Sequence, residues 1–195
     1  MKRLKQKHRK VNRLTKDETH FNNIFDNNVN FKERVIYLND DIDSSSLELF
    51  QKAFDEFDRT PDQPVRVEIS SYGGSVYDML GMIDRIRNSP CHVVTRGLGK
   101  IMSAATFILG AGDERLMGKN SWAMIHEISD WIRGSLSELK VELKHTEELE
   151  AHCYRLYEEF SKGKTKAKVF EKMCSKNCYL TAEQTLKLGL IDEII

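Results

Sequence analysis

The chain has 195 residues, 40% hydrophobic and 31% charged, with 30 Lys+Arg balanced by 30 Asp+Glu. That length supports one domain whose core needs no metal or disulfide staple, and the composition excludes wholesale disorder. No apolar run approaches the ~20 residues that span a bilayer, and the N-terminus lacks the apolar centre of a secretory leader. Four scattered cysteines (Cys91, Cys153, Cys174, Cys178) make no disulfide framework, so a cytoplasmic, reducing compartment is expected.

Balanced charge conceals an asymmetry. Residues 1–20 hold eight cations and two anions, leaving 22 cations and 28 anions for the rest. A basic arm of this kind can bind nucleic acid or an acidic surface, and it equally suits a solvated tail. The body carries no further basic cluster, so nucleic acid is not expected as the main partner. Residues 1–20 are therefore read as a flexible arm and 21–195 as the folded domain.

From Arg34 the pattern alternates short strands with helices. Arg34–Leu38 reads as a strand; Ser45-x-x-Glu48 offers a capping box, with Leu47, Phe50, Ala53, Phe54 and Phe57 at helical spacing. Pro61 and Pro64 end that helix, and Val65–Ile69 alternates as a strand. Val76, Met79, Leu80, Ile83 and Ile86 mark a second helix closed at Asn88–Pro90, before a strand over Cys91–Thr95. Ser103–Leu109 reads as a short apolar helix, and Leu116 and Ser121–Ile125 suggest two more strands. This alternation predicts an α/β domain with a largely parallel sheet.

The second half is helical. Ser135-x-x-Glu138 is a capping box that opens an amphipathic run of about 25 residues through Phe160, roughly 38 Å long at 1.5 Å per residue. Such a helix would outreach one compact domain, so part of it is expected to pack on another subunit, together with the 127–134 segment holding Trp131 and Ile132. Gly163 ends it; helices over Thr165–Met173 and from Thr181 to Gly189 lead into a terminal strand, Leu190–Ile195.

Three residue groups could carry chemistry. Ser70-Ser-Tyr-Gly-Gly-Ser-Val76 passes from strand to helix through adjacent glycines, which permit positive φ and free N–H groups aimed at an anion. Ser103 opens a small apolar helix, as a plain N-cap or as a nucleophile beside an oxyanion site. His126 ends an apolar strand, where open α/β sheets collect ligands. Cys174-x-x-x-Cys178 has loose metal spacing but no second ligand pair nearby, so no metal and no cofactor are expected. His145, His152 and the charges around Glu138–Lys144 read as a solvated helix face.

Five blocks stand together in order: Glu33–Leu38; Gly73-Gly-Ser-Val76; Gly99 through Ser103, Phe107, Leu109 and Ala111-Gly112; Asn120-Ser121 with Met124-Ile125-His126; and Leu180–Glu183 with Gly189–Asp192. In these the chain resembles the proteolytic subunit of the Clp protease, a ClpP-type serine peptidase, over about residues 33–195. The resemblance implies a ClpP/crotonase-like fold with a protruding helix–strand handle. It implies Ser103 as nucleophile, His126 as general base, and the N–H groups of Gly74 and Ala104 as the oxyanion hole. The substrate it implies is a peptide or unfolded protein, cut through an acyl-serine intermediate inside stacked heptameric rings, in a bacterial cytoplasm or from a phage within one.

The third catalytic position of the family, an Asp five residues before Ala182, is Asn177 here. Asn can accept the His Nδ1–H but cannot stabilise imidazolium by charge. Ser175 and Lys176 replace an acid–cation pair used for ring contacts, Tyr72 replaces a Pro, and Ala105 a Gly. Residues 1–32 do not match the axial loop that meets an AAA+ unfoldase, so that partner is not supported by the N-terminus. Two rival readings follow: a weak or silent ring subunit beside an active paralogue, favoured by Asn177, and a crotonase-type acyl-CoA enzyme, disfavoured by the Ser103–His126 pair.

Overall fold

The computed structural model describes residues 28–129 and 131–195. The arm read at residues 1–20 lies outside them. The central strands β2 (Val35–Leu38), β3 (Val65–Ser71), β4 (Val93–Met102), β5 (Glu114–Met117) and β8 (Glu193–Ile194) run parallel in that order. A short β1 (Val29–Asn30) closes the β2 edge antiparallel. The far half of the ten-residue β4 leaves β5 and pairs with β6 (Trp122–Ile125), which carries the antiparallel β7 (Cys178–Thr181).

Connections are helical. α1 (Ser44–Phe57) buries Phe50, Ala53, Phe54 and Phe57, and α2 (Val76–Arg87) buries Met79, Met82, Ile83 and Ile86. These stripes meet the sheet face formed by Val65, Val67, Ile69 and Val93, giving one continuous apolar core. The other face is polar: Glu68 stands opposite Arg96 in register, and its Oε1 accepts from Arg96 Nη1 at 2.8 Å. The cap of α1 differs from expectation. Asp43, not Ser45, is the N-cap, accepting from the Ser46 N–H while the Ser46 hydroxyl reciprocates. A carboxylate two residues earlier outcompetes the serine because it also suits the helix dipole.

α3 (Ala104–Ala111) is buried along its whole length, and α4 (Leu136–Phe160) crosses it. The Ser135–Glu138 capping box forms as read. The C-terminal half of α4 is anchored: the Phe107 and Tyr157 rings lie 3.9 Å apart, and Thr106 Oγ1 is 2.6 Å from the Tyr157 hydroxyl. Phe160 covers Gly110, where an added Cβ would stand 2.6 Å from the ring. The N-terminal half projects with Leu136, Val141 and Leu143 exposed. The helix of the handle is therefore present, whereas the described residues of 127–134 form no strand within the chain. α5 (Ala167–Cys174) and α6 (Ala182–Leu188) complete the fold, α6 stopping at Gly189 in the left-handed conformation.

One ion pair ties the C-terminal strand to this frame. Arg115, with its side chain 4% exposed, donates to Asp192 through Nε (2.8 Å) and Nη2 (2.6 Å), and its Nη1 reaches the Phe160 and Gly189 carbonyls. Hydrogen bonds from Arg115 hold the Asp192 carboxyl well below the usual carboxylate range. A depressed folded-state pKa contributes stability that is present above the unfolded value, ~3.9, and fades as pH falls below it. Asp192→Asn leaves Arg115 without its counter-charge and is expected to cost about 2–3 kcal/mol at pH 7, less than for a fully buried pair because Asp192 is partly hydrated. In urea denaturation the gap from wild type should narrow as pH falls from 5 toward 3; a gap independent of pH would contradict the electrostatic account.

Candidate active site

The site gathers where β3, β4 and β6 end. After β3 the chain turns at Gly73 and Gly74, with φ of 99° and 152°. A side chain at either would collide with backbone: the added Cβ would sit 2.7 Å from the Met102 carbonyl at Gly73 and 2.2 Å from the Ile42 carbonyl at Gly74. Glycine is required for both reasons. The turn is pinned by Ile42, whose N–H donates to the Gly73 carbonyl (2.9 Å) and whose carbonyl accepts from Ser75 N–H (2.7 Å). Ser71 Oγ, accepting from Gly73 N–H and donating to the Asp40 carbonyl, holds it from below. The Gly74 N–H has no acceptor among the described residues.

Ser103 joins β4 to α3 at φ 53°, ψ −125°. For a non-glycine residue that conformation is strained, at a cost on the order of 1–3 kcal/mol, and it persists only where neighbours enforce it. They do so here: Ser103 N–H donates to the Met124 carbonyl (2.7 Å), and the Ser103 carbonyl accepts from Thr106 N–H and Thr106 Oγ1. Ser103 makes no side-chain cap bond to the helix it precedes. The plain N-cap reading therefore fails, and the hydroxyl is turned outward. Ala104 at the first position of α3 has no intrahelical acceptor for its N–H.

His126 follows β6 directly, and its Nε2 lies 2.7 Å from Ser103 Oγ. Lateral pairing of Ile101–Met102 with Ala123–Met124 carries the two strand ends to one level, which is why two residues 23 apart in sequence meet. The sequence-derived residues Gly74, Ser103, Ala104 and His126 thus converge on one cleft of about 70 Å³. Asn177 does not join them by a bond. It is exposed, and among the described residues its side chain makes no hydrogen bond to His126. The β6–β7 register ends at Ile125 opposite Cys178, so one further step sets Asn177 level with His126.

The remaining wall comes from residues the sequence did not single out as functional: Val76 and Met79 from α2, Phe107 from α3, and Glu150, Cys153, Tyr154 and Tyr157 from α4. Their helical periodicity resembles that of ordinary core, and only the crossing of α4 over α3 turns it toward Ser103. Burial pushes the Cys153 thiol up to about 11, with Glu150 adding to it, so it stays protonated at neutral pH and is no rival nucleophile.

The family model described as Clp protease matches residues 15–195. A protein of Deinococcus radiodurans described as an ATP-dependent Clp protease proteolytic subunit is 29% identical over 167 residues, covering 84% of this chain and 81% of its own. A Porphyromonas gingivalis protein of the same description is 28% identical over 166 residues, covering 84% of this chain and 74% of its own. With a match that runs from before the first strand to the last residue, across every element that builds the cleft, the chain belongs to the Clp protease family.

Proposed function

We propose that the protein is a serine peptidase that cleaves peptide bonds through an acyl-Ser103 intermediate. His126 Nε2 takes the proton of Ser103 Oγ as the hydroxyl attacks the scissile carbonyl, then returns it to the leaving amine. The Gly74 and Ala104 N–H groups receive the developing oxyanion. Water, activated by the same histidine, then hydrolyses the acyl-enzyme. Asn177 is assigned the orientation of His126, by accepting Nδ1–H once substrate draws the two together. The 2.7 Å Ser103 Oγ to His126 Nε2 contact carries this reading. A fluorophosphonate probe tests it: the wild type should be labelled on Ser103 alone, and a protein that stays unlabelled at millimolar probe is no serine hydrolase.

The second reading, a weak ring subunit beside an active paralogue, draws support from Asn177, which is uncharged and, among the described residues, makes no hydrogen bond to His126. Slow labelling of Ser103 that a paralogue's presence does not accelerate would speak against it.

Assembly follows from the handle. Leu136 and Leu143, two turns apart on one face of the helix, are 70% and 56% exposed, and Val141 is 66% exposed on its other side. The chain is read as forming rings that stack through this helix and the 127–134 segment. Ile132→Asp is expected to halve the mass of the particle in light scattering after size exclusion. A wild type that is monomeric at micromolar concentration would contradict the assembly. The relatives' description as ATP-dependent proteolytic subunits supports, for this chain, a partner that supplies an ATP-driven step.

A further inference from the structure

The cleft beside Ser103 carries two carboxylates, Glu127 and Glu150, and no Lys or Arg among its described lining residues. Glu150 projects from α4, half-buried, and its Oε1 accepts the Ile128 N–H at 2.9 Å. That bond fixes the carboxylate against the segment following His126 instead of leaving it to swing into water. Glu127 is exposed at the outer edge, its position set by its own N–H donating to the Cys174 carbonyl at 2.9 Å. Neither glutamate forms a salt bridge among the described residues, although the protein pairs many of its other surface acids, such as Glu158 with Lys166 and Glu159 with Arg87. Around them Val76, Met79 and Phe107 form an apolar wall, with Tyr154 beside Glu150. A half-buried carboxylate beside apolar side chains and without a counter-ion is free to pair with a cation that a ligand brings.

We propose that this cleft selects a basic side chain, lysine or arginine, on the peptide residue whose carbonyl Ser103 attacks. The methylene stem lies along Val76, Met79 and Tyr154, and the cation meets the Glu150 carboxylate, with Glu127 adding to the field at the mouth. The volume suits this: about 70 Å³ is several times the ~10–15 Å³ that one water needs, so an extended side chain displaces solvent and leaves its charged end at the wet edge. A leucine would leave Glu150 partly desolvated and unpaired, and an acidic side chain would add repulsion to that cost. Selection therefore works by rejecting the wrong charge as well as by attracting the right one.

This inference rests on Ser103 being the nucleophile, and the test separates the two. Peptidyl diphenyl phosphonates, identical except for a lysine-, leucine- or glutamate-like terminal side chain, are compared by their labelling rate constants on the wild-type protein. The lysine-type probe should react at least about tenfold faster than the leucine-type, as expected for a charge-assisted contact, and the glutamate-type slowest. The ratio should shrink at 1 M salt, where charge is screened. Glu150→Gln, which retains an acceptor for the Ile128 N–H, should bring the lysine-to-leucine ratio close to one. If a small fluorophosphonate labels Ser103 but the leucine-type probe is as fast as the lysine-type, the specificity is overturned and the peptidase stands. An unchanged ratio in Glu150→Gln overturns the role of Glu150. Failure of the fluorophosphonate itself overturns both.

Discussion

Ser103→Ala should abolish fluorophosphonate labelling and lower peptide turnover to the level of the uncatalysed background plus whatever the oxyanion site contributes. In serine peptidases, loss of the nucleophile costs about 10⁶-fold in kcat, and the residual acceleration comes from binding and oxyanion donors. The same order is expected here, because Ser103 is the hydroxyl that His126 Nε2 touches at 2.7 Å. The substitution should leave folding intact. Ser103 Oγ makes no cap bond, and the contacts that enforce its backbone conformation run through its N–H and carbonyl, which alanine retains. Circular dichroism and size exclusion should match the wild type. Undiminished turnover in a clean Ser103→Ala preparation would remove Ser103 from the mechanism.

Asn177→Asp should raise peptidase activity. The transition state places a positive charge on His126, and an anion nearby lowers its energy. At ~6 Å and an effective dielectric of ~40 for a group in water, the gain is about 1.4 kcal/mol, or tenfold. Exposure of Asn177 favours the experiment, because a hydrated carboxylate ionises without the penalty that burial imposes. The pH profile supplies a second readout. A new anion raises the pKa of His126, so the acid limb of kcat/KM should move to higher pH, and the gain should be larger at pH 8–9 than at pH 6. Turnover of a short fluorogenic peptide across pH 6–9 measures both effects. No gain and no displacement of the acid limb would show that missing charge at this position is not what limits the enzyme.

Much of this architecture is written locally. The 25-residue helix follows from the Ser135–Glu138 box and its apolar spacing, and α6 from Thr181 at one end and Gly189 at the other. The paired glycines mark a tight turn, and the resemblance of the blocks around Ser103 and His126 to a known family implies that the two are partners. Cap, period and steric exclusion act within a few residues, so the chain states them directly.

Other features exist only because distant segments meet. β4 runs on past Thr95 to Met102: Gly97 pairs with β3 and β5, and Lys100–Met102 is strand because β6 offers it a ladder. β7 is four residues long and is a strand because β6 lies beside it; β1 owes its two residues to β2 in the same way. The hydroxyl of Ser103 was equally consistent with a helix cap, and what decided against that was the strained turn enforced by the Met124 carbonyl, 21 residues away. Nothing in the sequence sets Glu150 apart, and it is the packing of α4 across α3 that brings it to the cleft. The sequence by itself determined which elements form and which hydroxyl and imidazole are available, because those depend on short-range periodicity and sterics. Strand extensions, the strain on Ser103 and the charge of the cleft wall were decided by tertiary structure, because each is a pairing energy whose second partner lies elsewhere in the chain.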